Sequence, residues 1–127
     1  MQVNEIVLSK GVYQMIKNHL KQDKKLTDFN KQKLISELKS AKILPSKSFP
    51  DKVVAINTSI KVKEVESNQE FQFSLVAPQD AKIKNNKLSV LSPIGLALVG
   101  YNVGDEVQWE MPDGLKKYVI QDVSLVE

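Results

Sequence analysis

The chain has 127 residues, of which 42% are hydrophobic, and this is sufficient for a folded domain with a substantial core. It contains no cysteine and one histidine, His19, which excludes disulfides, thiolate metal sites and histidine clusters. No stretch approaches the roughly 18 apolar residues of a membrane span, and the first residues lack the pattern of a signal peptide. We therefore expect a cytoplasmic protein without a membrane partner.

Charge is distributed unevenly along the chain. Residues 1–48 carry ten lysines against four acidic residues, a net charge of +6, whereas residues 49–127 carry eight lysines against eleven acidic residues, a net charge of −3. Such asymmetry bears on partners and on electrostatic steering. Arginine, which most often reads guanine or phosphate through two parallel hydrogen bonds, is absent. Sequence-specific recognition of nucleic acid is therefore disfavoured.

The first predicted elements are two short amphipathic helices. Ser9 is a candidate N-cap for a helix over about residues 10–22, and Thr27 or Asp28 can begin a second helix. The short polar joint between them predicts an antiparallel hairpin, whose arms reach roughly 20 to 24 Å. The apolar helical positions are Val12, Met15, Ile16, His19 and Leu20 in the first helix and Leu34, Ile35, Leu38 and Ala41 in the second.

The predicted tip of the hairpin contains Asp23, Lys24, Lys25 and Asp28. Two carboxylates can share a magnesium ion with water and substrate oxygens, but the neighbouring lysines oppose a cation there. We predict capping and solvation roles for both aspartates, and neither a metal nor a cofactor. His19 falls at an apolar helical position, so we predict a structural role and no catalytic residue in the chain. The protein is not expected to be an enzyme.

Pro45 and Pro50 interrupt the helical pattern. They predict a joint between the helical hairpin, residues 1–48, and a second domain, residues 49–127. Beyond them the hydrophobic period becomes two, which is typical of strands with one buried face. The alternating apolar residues are Ile60, Val62, Phe71, Phe73 and Leu75. A polar connection then leads to a short predicted strand over residues 88–91.

Residues 92–100 predict one short helix, with Ser92 as N-cap, Pro93 at the first helical position and Gly100 past the end. Two final strands, over about residues 106–111 and 116–126, flank a tight turn in which Asp113 and Gly114 tolerate positive φ. The positions expected to face inward are Trp109, Tyr118 and Ile120. The predicted class is α+β: a short N-terminal antiparallel helical hairpin followed by an antiparallel β-sheet domain with one short helix.

The run SPIGLALVGYNVGDEVQWEMPDG resembles the signature of Gre transcription elongation factors. The residues that fall on the family pattern are Ser92, Pro93, Ile94, Gly95, Ala97, Leu98, Gly100, Gly104, Asp105, Val107, Pro112 and Gly114. The resemblance implies an FKBP-like fold for the C-terminal domain and binding to bacterial RNA polymerase near its secondary channel. The short hairpin and the phrase QWEMPDG are most similar to the regulator of nucleoside diphosphate kinase (Rnk), a Gre relative with a truncated coiled coil.

Gre factors dock on the polymerase through the loop and helix start around the Ser-Pro pair. The resemblance therefore implies that Leu91, Ser92, Pro93 and Ile94 are the polymerase contacts, although Ser92 and Pro93 would also be needed simply to begin the helix.

The hairpin lacks the acidic tip with which the family shares a magnesium ion with the polymerase active centre. The expected function is therefore occupancy of the channel entrance by a monomer that competes with longer cleavage factors and does not stimulate cleavage. Three alternatives remain open: weak cleavage stimulation through Asp23 and Asp28, nonspecific nucleic-acid contact through the lysine-rich hairpin, and a prolyl isomerase suggested by fold alone.

Overall fold

The computed structural model describes residues 5–23, 25–50 and 52–126, with Ser46 described by its backbone alone. Its helices are α1 (Lys10–Gln22), α2 (Asp28–Ser40) and α3 (Pro93–Leu98). Its strands are β1 (Val7–Leu8), β2 (Lys42–Ile43), β3 (Thr58–Glu64), β4 (Glu70–Val76), β5 (Lys87–Ser89), β6 (Glu106–Met111) and β7 (Gly114–Leu125). The predicted combination of a helical hairpin with a sheet is confirmed, so the class is α+β.

The two helices of the hairpin begin at side-chain caps, as the sequence predicts. Ser9 Oγ accepts a hydrogen bond from the backbone N–H of Val12, at 3.2 Å. Thr27 Oγ1 accepts one from the backbone N–H of Asn30, also at 3.2 Å. Each cap satisfies an N–H group that a helix leaves without an internal partner in its first turn. Both predicted helices therefore form where their local signals place them.

The main sheet has five strands in the order β5-β4-β3-β7-β6. The pairs among β4, β3, β7 and β6 are antiparallel, as predicted. Strand β5 instead pairs with β4 in parallel, with Ser74 opposite Lys87, so the sheet is mixed. The chain between these strands passes through two short 3-10 turns, Pro78–Asp80 and Ile83–Asn85, and turns back so that β5 begins beside Ser74 and ends beside Val76. This crossover, which local patterns do not reveal, makes the direction of β5 parallel.

A second, two-stranded sheet lies at the base of the hairpin and was not predicted. In it β1 pairs with β2 in parallel, and Val7 lies opposite Lys42. The backbone N–H of Val7 also donates to the carbonyl oxygen of Gly100, at 3.0 Å. Strands of two residues are too short to carry a periodic pattern. These backbone bonds tie the base of the hairpin to the chain that follows α3.

One hydrophobic core extends across the predicted domain boundary. Trp109, Tyr118 and Ile120 are buried in it, as predicted. Phe73 and Leu75 are also buried, but Phe71, expected to be inward, keeps 39% of its surface exposed. The residues that precede Pro45 and belong to the same core are Ile6, Leu8, Val12, Ile16 and Leu34. The hairpin and the sheet therefore share a core rather than folding around separate ones.

The turn between β6 and β7 differs from the predicted one. Pro112 and Asp113 occupy its corners, and the positive φ falls on Gly114, at 131°, and not on Asp113. Proline fixes φ near −65°, so a turn that begins with Pro112 cannot take the mirror-image form that requires positive φ at both corners. The predicted role of Gly114 is thus confirmed, whereas the prediction for Asp113 is wrong.

Candidate functional site

The corner between β5 and α3 is built by two serines. Ser92 Oγ caps α3 by accepting from the backbone N–H of Gly95, at 3.2 Å, and donates to the carbonyl oxygen of Ser89, at 2.7 Å. Ser89 Oγ in turn accepts from the backbone N–H of Leu91, at 3.0 Å. Both hydroxyl groups are hydrogen-bonded to the backbone of this corner. The main role of Ser92 is therefore to hold the shape of the corner, and its hydroxyl is not free to bind a partner.

A close contact beneath α3 explains the glycine at position 95. A Cβ atom there would lie 2.4 Å from the carbonyl oxygen of Ser89 and 2.8 Å from that of Val90. Only glycine therefore allows the helix to pack directly on the backbone that leads out of β5. At this corner the side chain of Pro93 is exposed, and its neighbours Leu91, Ser92 and Ile94 are partly buried. The four predicted contact residues are consecutive in the chain and lie together at this corner, and their contact with polymerase stays a prediction.

An apolar hollow of about 220 Å³ lies beside this corner. Ile94 belongs to both, since it follows Pro93 in α3 and also lines the hollow. The full lining is Val62, Phe71, Phe73, Leu88, Ile94, Met111 and Tyr118. Tyr118 is the residue of this lining whose side chain carries a polar group, and burial, followed by Glu64, raises the pKa of its hydroxyl. The family resemblance implies that Ile94 is a contact residue. No pattern in the sequence singles out Phe71, which lines the same hollow and is 39% exposed.

A larger hollow of about 640 Å³ lies elsewhere, between β1 and the segment that precedes β3. Its lining includes Val7, Phe49 and Asn57 but none of the residues of the Ser-Pro corner. The larger hollow is therefore separate from the Ser-Pro corner.

The two aspartates of the hairpin tip lie at the ends of its helices, Asp23 after α1 and Asp28 at the start of α2. Asp23 Oδ1 accepts from the backbone N–H of Lys25, at 2.8 Å, and Asp23 Oδ2 lies 2.9 Å from Nε2 of His19. Asp28 is the exposed first residue of α2, where a carboxylate interacts favourably with the helix dipole. The fourth predicted tip residue, Lys24, lies outside the described residues. Within residues 5–23, 25–50 and 52–126, no cluster of three or more potential metal ligands occurs.

The lysines of the hairpin fall into two groups. Lys10, Lys17 and Lys21 are exposed, and their spacing of seven and four residues places them on the same face of α1. In the part of the chain that the structure describes, none of these three forms an ion pair. Lys33 differs, because its ammonium group lies 2.6 Å from Oε2 of the buried Glu37. The other described lysines of residues 1–48 are likewise exposed and form no ion pair among the described residues: Lys25, Lys31, Lys39, Lys42 and Lys47. The positive charge is thus spread over the hairpin, and α1 differs in aligning three lysines on one face.

None of the described helices is long and apolar enough to cross a membrane.

Comparisons with known proteins were made for the sequence and for the fold. Residues 49–125 match the family model described as transcription elongation factor, GreA/GreB, C-term. Transcription elongation factor GreA of Clostridium beijerinckii is 36% identical over 104 residues, which are 82% of this chain and 65% of that protein. The chain thus spans just under two thirds of that relative's length.

Two solved structures resemble the whole arrangement. A GreA/GreB transcription elongation factor from Nitrosomonas europaea superposes with a TM-score of 0.69 at 28% identity, covering 96% of this chain and 99% of that one. Gfh1 of Thermus aquaticus superposes with a TM-score of 0.54 at 19% identity, covering 96% and 99%, and this likeness shows the fold alone. The Ser-Pro corner and the turn after β6 lie within the matched residues 49–125. The chain therefore belongs to the GreA/GreB family of transcription elongation factors.

Proposed function

We propose that this protein binds bacterial RNA polymerase at the entrance of the secondary channel and regulates transcription by occupying that entrance, without stimulating transcript cleavage itself. Family membership supports a role in transcription elongation. The observation that carries the docking part of the proposal is the apolar hollow beside the exposed Ser-Pro corner. The resemblance implies a polymerase contact at this corner, and the structure adds an apolar surface next to it.

The size of the hollow favours a protein partner over a small substrate. Sites for small molecules usually measure roughly 300 to 1,000 Å³, whereas this hollow measures about 220 Å³. A hollow of this size suits one or two apolar side chains of a partner, and Ile94 joins it to the Ser-Pro corner. Exposed apolar surface of this kind marks interaction sites on soluble proteins, and Phe71 and Ile94 provide it here. Polymerase docking therefore needs neither a cofactor nor a catalytic residue.

The surroundings of the two tip aspartates and the length of the hairpin do not favour stimulation of transcript cleavage. Asp23 Oδ1 accepts from the backbone N–H of Lys25, and its Oδ2 lies 2.9 Å from Nε2 of His19. Asp28 is exposed at the start of α2, three residues before Lys31 in the sequence. The two helices have 13 residues each, which at 1.5 Å per residue gives arms of about 20 Å. A hairpin of this length, similar to the truncated coiled coil of the regulator of nucleoside diphosphate kinase, would occupy a channel entrance without delivering a pair of carboxylates to a distant metal centre.

The docking proposal is tested by binding to purified core RNA polymerase, measured for the wild type and for Ile94→Asp. A carboxylate at the edge of an apolar hollow must be desolvated on binding, so we expect at least a tenfold loss of affinity, which corresponds to about 1.4 kcal/mol. The matched control is Ile83→Asp, because Ile83 is 80% exposed and does not line the hollow. Equal binding by Ile94→Asp and Ile83→Asp, with both folded, would show that docking uses another surface.

Cleavage and competition are measured on a stalled elongation complex. We expect no acceleration of transcript cleavage by the wild type, and we expect added protein to suppress the cleavage stimulated by a longer Gre factor. Acceleration that disappears in an Asp23→Asn, Asp28→Asn double variant would support weak cleavage stimulation instead. In a proline-peptide assay we expect no isomerisation, and acceleration that Ile94→Asp abolishes would favour the isomerase hypothesis.

A second candidate function is nonspecific binding of nucleic acid by the basic face of α1. The observation that favours it is the alignment of Lys10, Lys17 and Lys21 without acidic partners among the described residues. Log affinity falls as log salt concentration rises. If each lysine contacts one phosphate, changing all three to Gln should make this slope less steep by about 3. Changing Lys82, Lys84 and Lys87, three exposed lysines around the turn before β5, is the matched control. Binding that neither variant alters would exclude this surface.

A further inference from the structure

A buried asparagine connects the hairpin to the edge of the sheet. Asn30, in the first turn of α2, is only 3% exposed. Its side-chain Nδ2 donates to the carbonyl oxygen of Glu110, and its Oδ1 accepts from the backbone N–H of the same residue, both at 2.8 Å. Strand β6 is an edge strand, so these two backbone groups would otherwise lack a partner in the sheet. The amide of Asn30 therefore pairs with β6 as a neighbouring strand would.

A second polar contact lies one to two turns further along α2. Lys33 Nζ lies 2.6 Å from Glu37 Oε2 and 3.3 Å from the hydroxyl oxygen of Tyr101, and that hydroxyl donates to the Glu37 carboxylate. Glu37 and Tyr101 are each 6% exposed. Lys33 Nζ also lies over the rings of Tyr101 and Trp109, 5.0 and 5.6 Å from their centroids. The buried Glu37 and the partly buried Lys33 of the hairpin thus contact aromatic residues of the segment that follows α3 and of β6.

The spacing of these residues gives the contact its geometry. Asn30, Lys33 and Glu37 are separated by three and four positions, so they lie along one face of α2, with Leu34 buried beside them. Their partners Tyr101, Trp109 and Glu110 belong to the segment after α3 and to β6. A rotation of the hairpin relative to the sheet would separate several partners together. It would leave buried charges or edge backbone groups without hydrogen bonds, which is costly.

We propose that these contacts, named here the polar latch and formed by Asn30, Lys33, Glu37, Tyr101 and Glu110, set the direction in which the hairpin projects from the sheet. The shared hydrophobic core holds the two parts together, but apolar contact is not directional. The latch adds directional hydrogen bonds that only one orientation satisfies. The hairpin and the Ser-Pro corner consequently form one rigid body. The residues of the polar latch are positioning residues. Under the proposed function, they set the direction in which the hairpin tip points.

The orientation can be measured on the protein alone, without polymerase, so that this inference and the proposed function fail independently. The chain has no cysteine, which allows two spin labels to be placed cleanly. Gln22, the last residue of α1, and Glu66, in the turn after β3, are exposed and suit labelling through Gln22→Cys and Glu66→Cys. Double electron–electron resonance then gives the distribution of distances between the hairpin tip and the sheet. We expect one narrow peak for the otherwise wild-type chain.

Two latch variants are compared. Asn30→Ala with Tyr101→Phe removes hydrogen bonds from both contacts, and Lys33→Met with Glu37→Leu replaces the buried ion pair with apolar groups of similar size, which preserves folding in many proteins. The control is Lys31→Met with Asn18→Ala, at exposed positions of the same hairpin. We expect both latch variants to lose the single narrow peak while circular dichroism stays native, and the control to keep it.

Narrow peaks in folded latch variants would overturn the proposal, because orientation would then depend on the hydrophobic core alone. Loss of the native circular dichroism signal in both latch variants would also overturn it, because the polar contacts would then hold the whole fold rather than its orientation.

Discussion

Replacing Asn30 with alanine tests how much the sheet edge depends on one side chain. The substitution removes two hydrogen bonds of 2.8 Å to the backbone of Glu110 and leaves the bond from the Asn30 backbone to the Thr27 cap in place. A net contribution of about 1 kcal/mol for each hydrogen bond gives a loss of about 2 kcal/mol. Alanine is the better helix former, which returns about 0.5 kcal/mol. The expected net loss is about 1.5 kcal/mol, and more if water cannot reach the freed groups.

Urea unfolding followed by circular dichroism measures this loss, because the midpoint falls while the slope stays constant when only stability changes. Asn18→Ala is the matched control, since Asn18 is exposed on α1 and the same exchange there reports helix propensity without the lost hydrogen bonds. Thermal unfolding should show a decrease of roughly 4 to 8 °C for Asn30→Ala. A free energy of unfolding within about 0.5 kcal/mol of the Asn18→Ala value would refute the reasoning, because surface substitutions without structural consequence lie in that range.

Three further substitutions test other contacts. Burial, and then Glu37, raise the pKa of Tyr101 above its ordinary value of 10.0, so folding favours the protonated hydroxyl. Tyr101→Phe should therefore destabilise the protein by about 1 to 2 kcal/mol at pH 8. That penalty should shrink above pH 10. There the Tyr101 hydroxyl of the wild type ionises in the unfolded chain but not in the folded one, which lowers the stability of the wild type and not that of Tyr101→Phe. Urea unfolding of both proteins at several pH values measures this, and a penalty that does not change with pH would contradict it. Ser92→Ala should cost about 1 kcal/mol through the lost cap of α3, measured as a lower urea midpoint, and an unchanged midpoint would show that the cap is dispensable. Gly95→Ala should lower the free energy of unfolding by about 1 to 3 kcal/mol or abolish folding, because the added Cβ would overlap the carbonyl oxygen of Ser89. Urea unfolding measures this, and wild-type stability would mean that α3 shifts to accommodate the methyl group.

Much of the local structure was predictable from neighbouring residues. The caps at Ser9, Thr27 and Ser92 act within three positions of the chain, so the sequence locates the starts of all three helices. The alternation around β3 and β4 identifies strands because side chains on a strand point to opposite faces in turn. The signature from Ser92 to Gly114 indicates the family, and the structure brings its four predicted contact residues to one corner. Whether they contact polymerase remains a prediction.

What only the tertiary structure decided depends on residues that are distant in the sequence. The side chain of Asn30 is bonded to a residue 80 positions away, and Glu37 accepts from a hydroxyl 64 positions away in addition to its local contact with Lys33. The local sequence therefore does not indicate that these two polar residues are buried. The parallel direction of β5 follows from the path of its connection. The hollow forms where residues of all five strands of the main sheet meet α3. Periodicity and capping report interactions over about one helical turn or two strand residues. The orientation of the hairpin and the shape of the candidate docking surface arise from contacts that fold the chain back on itself.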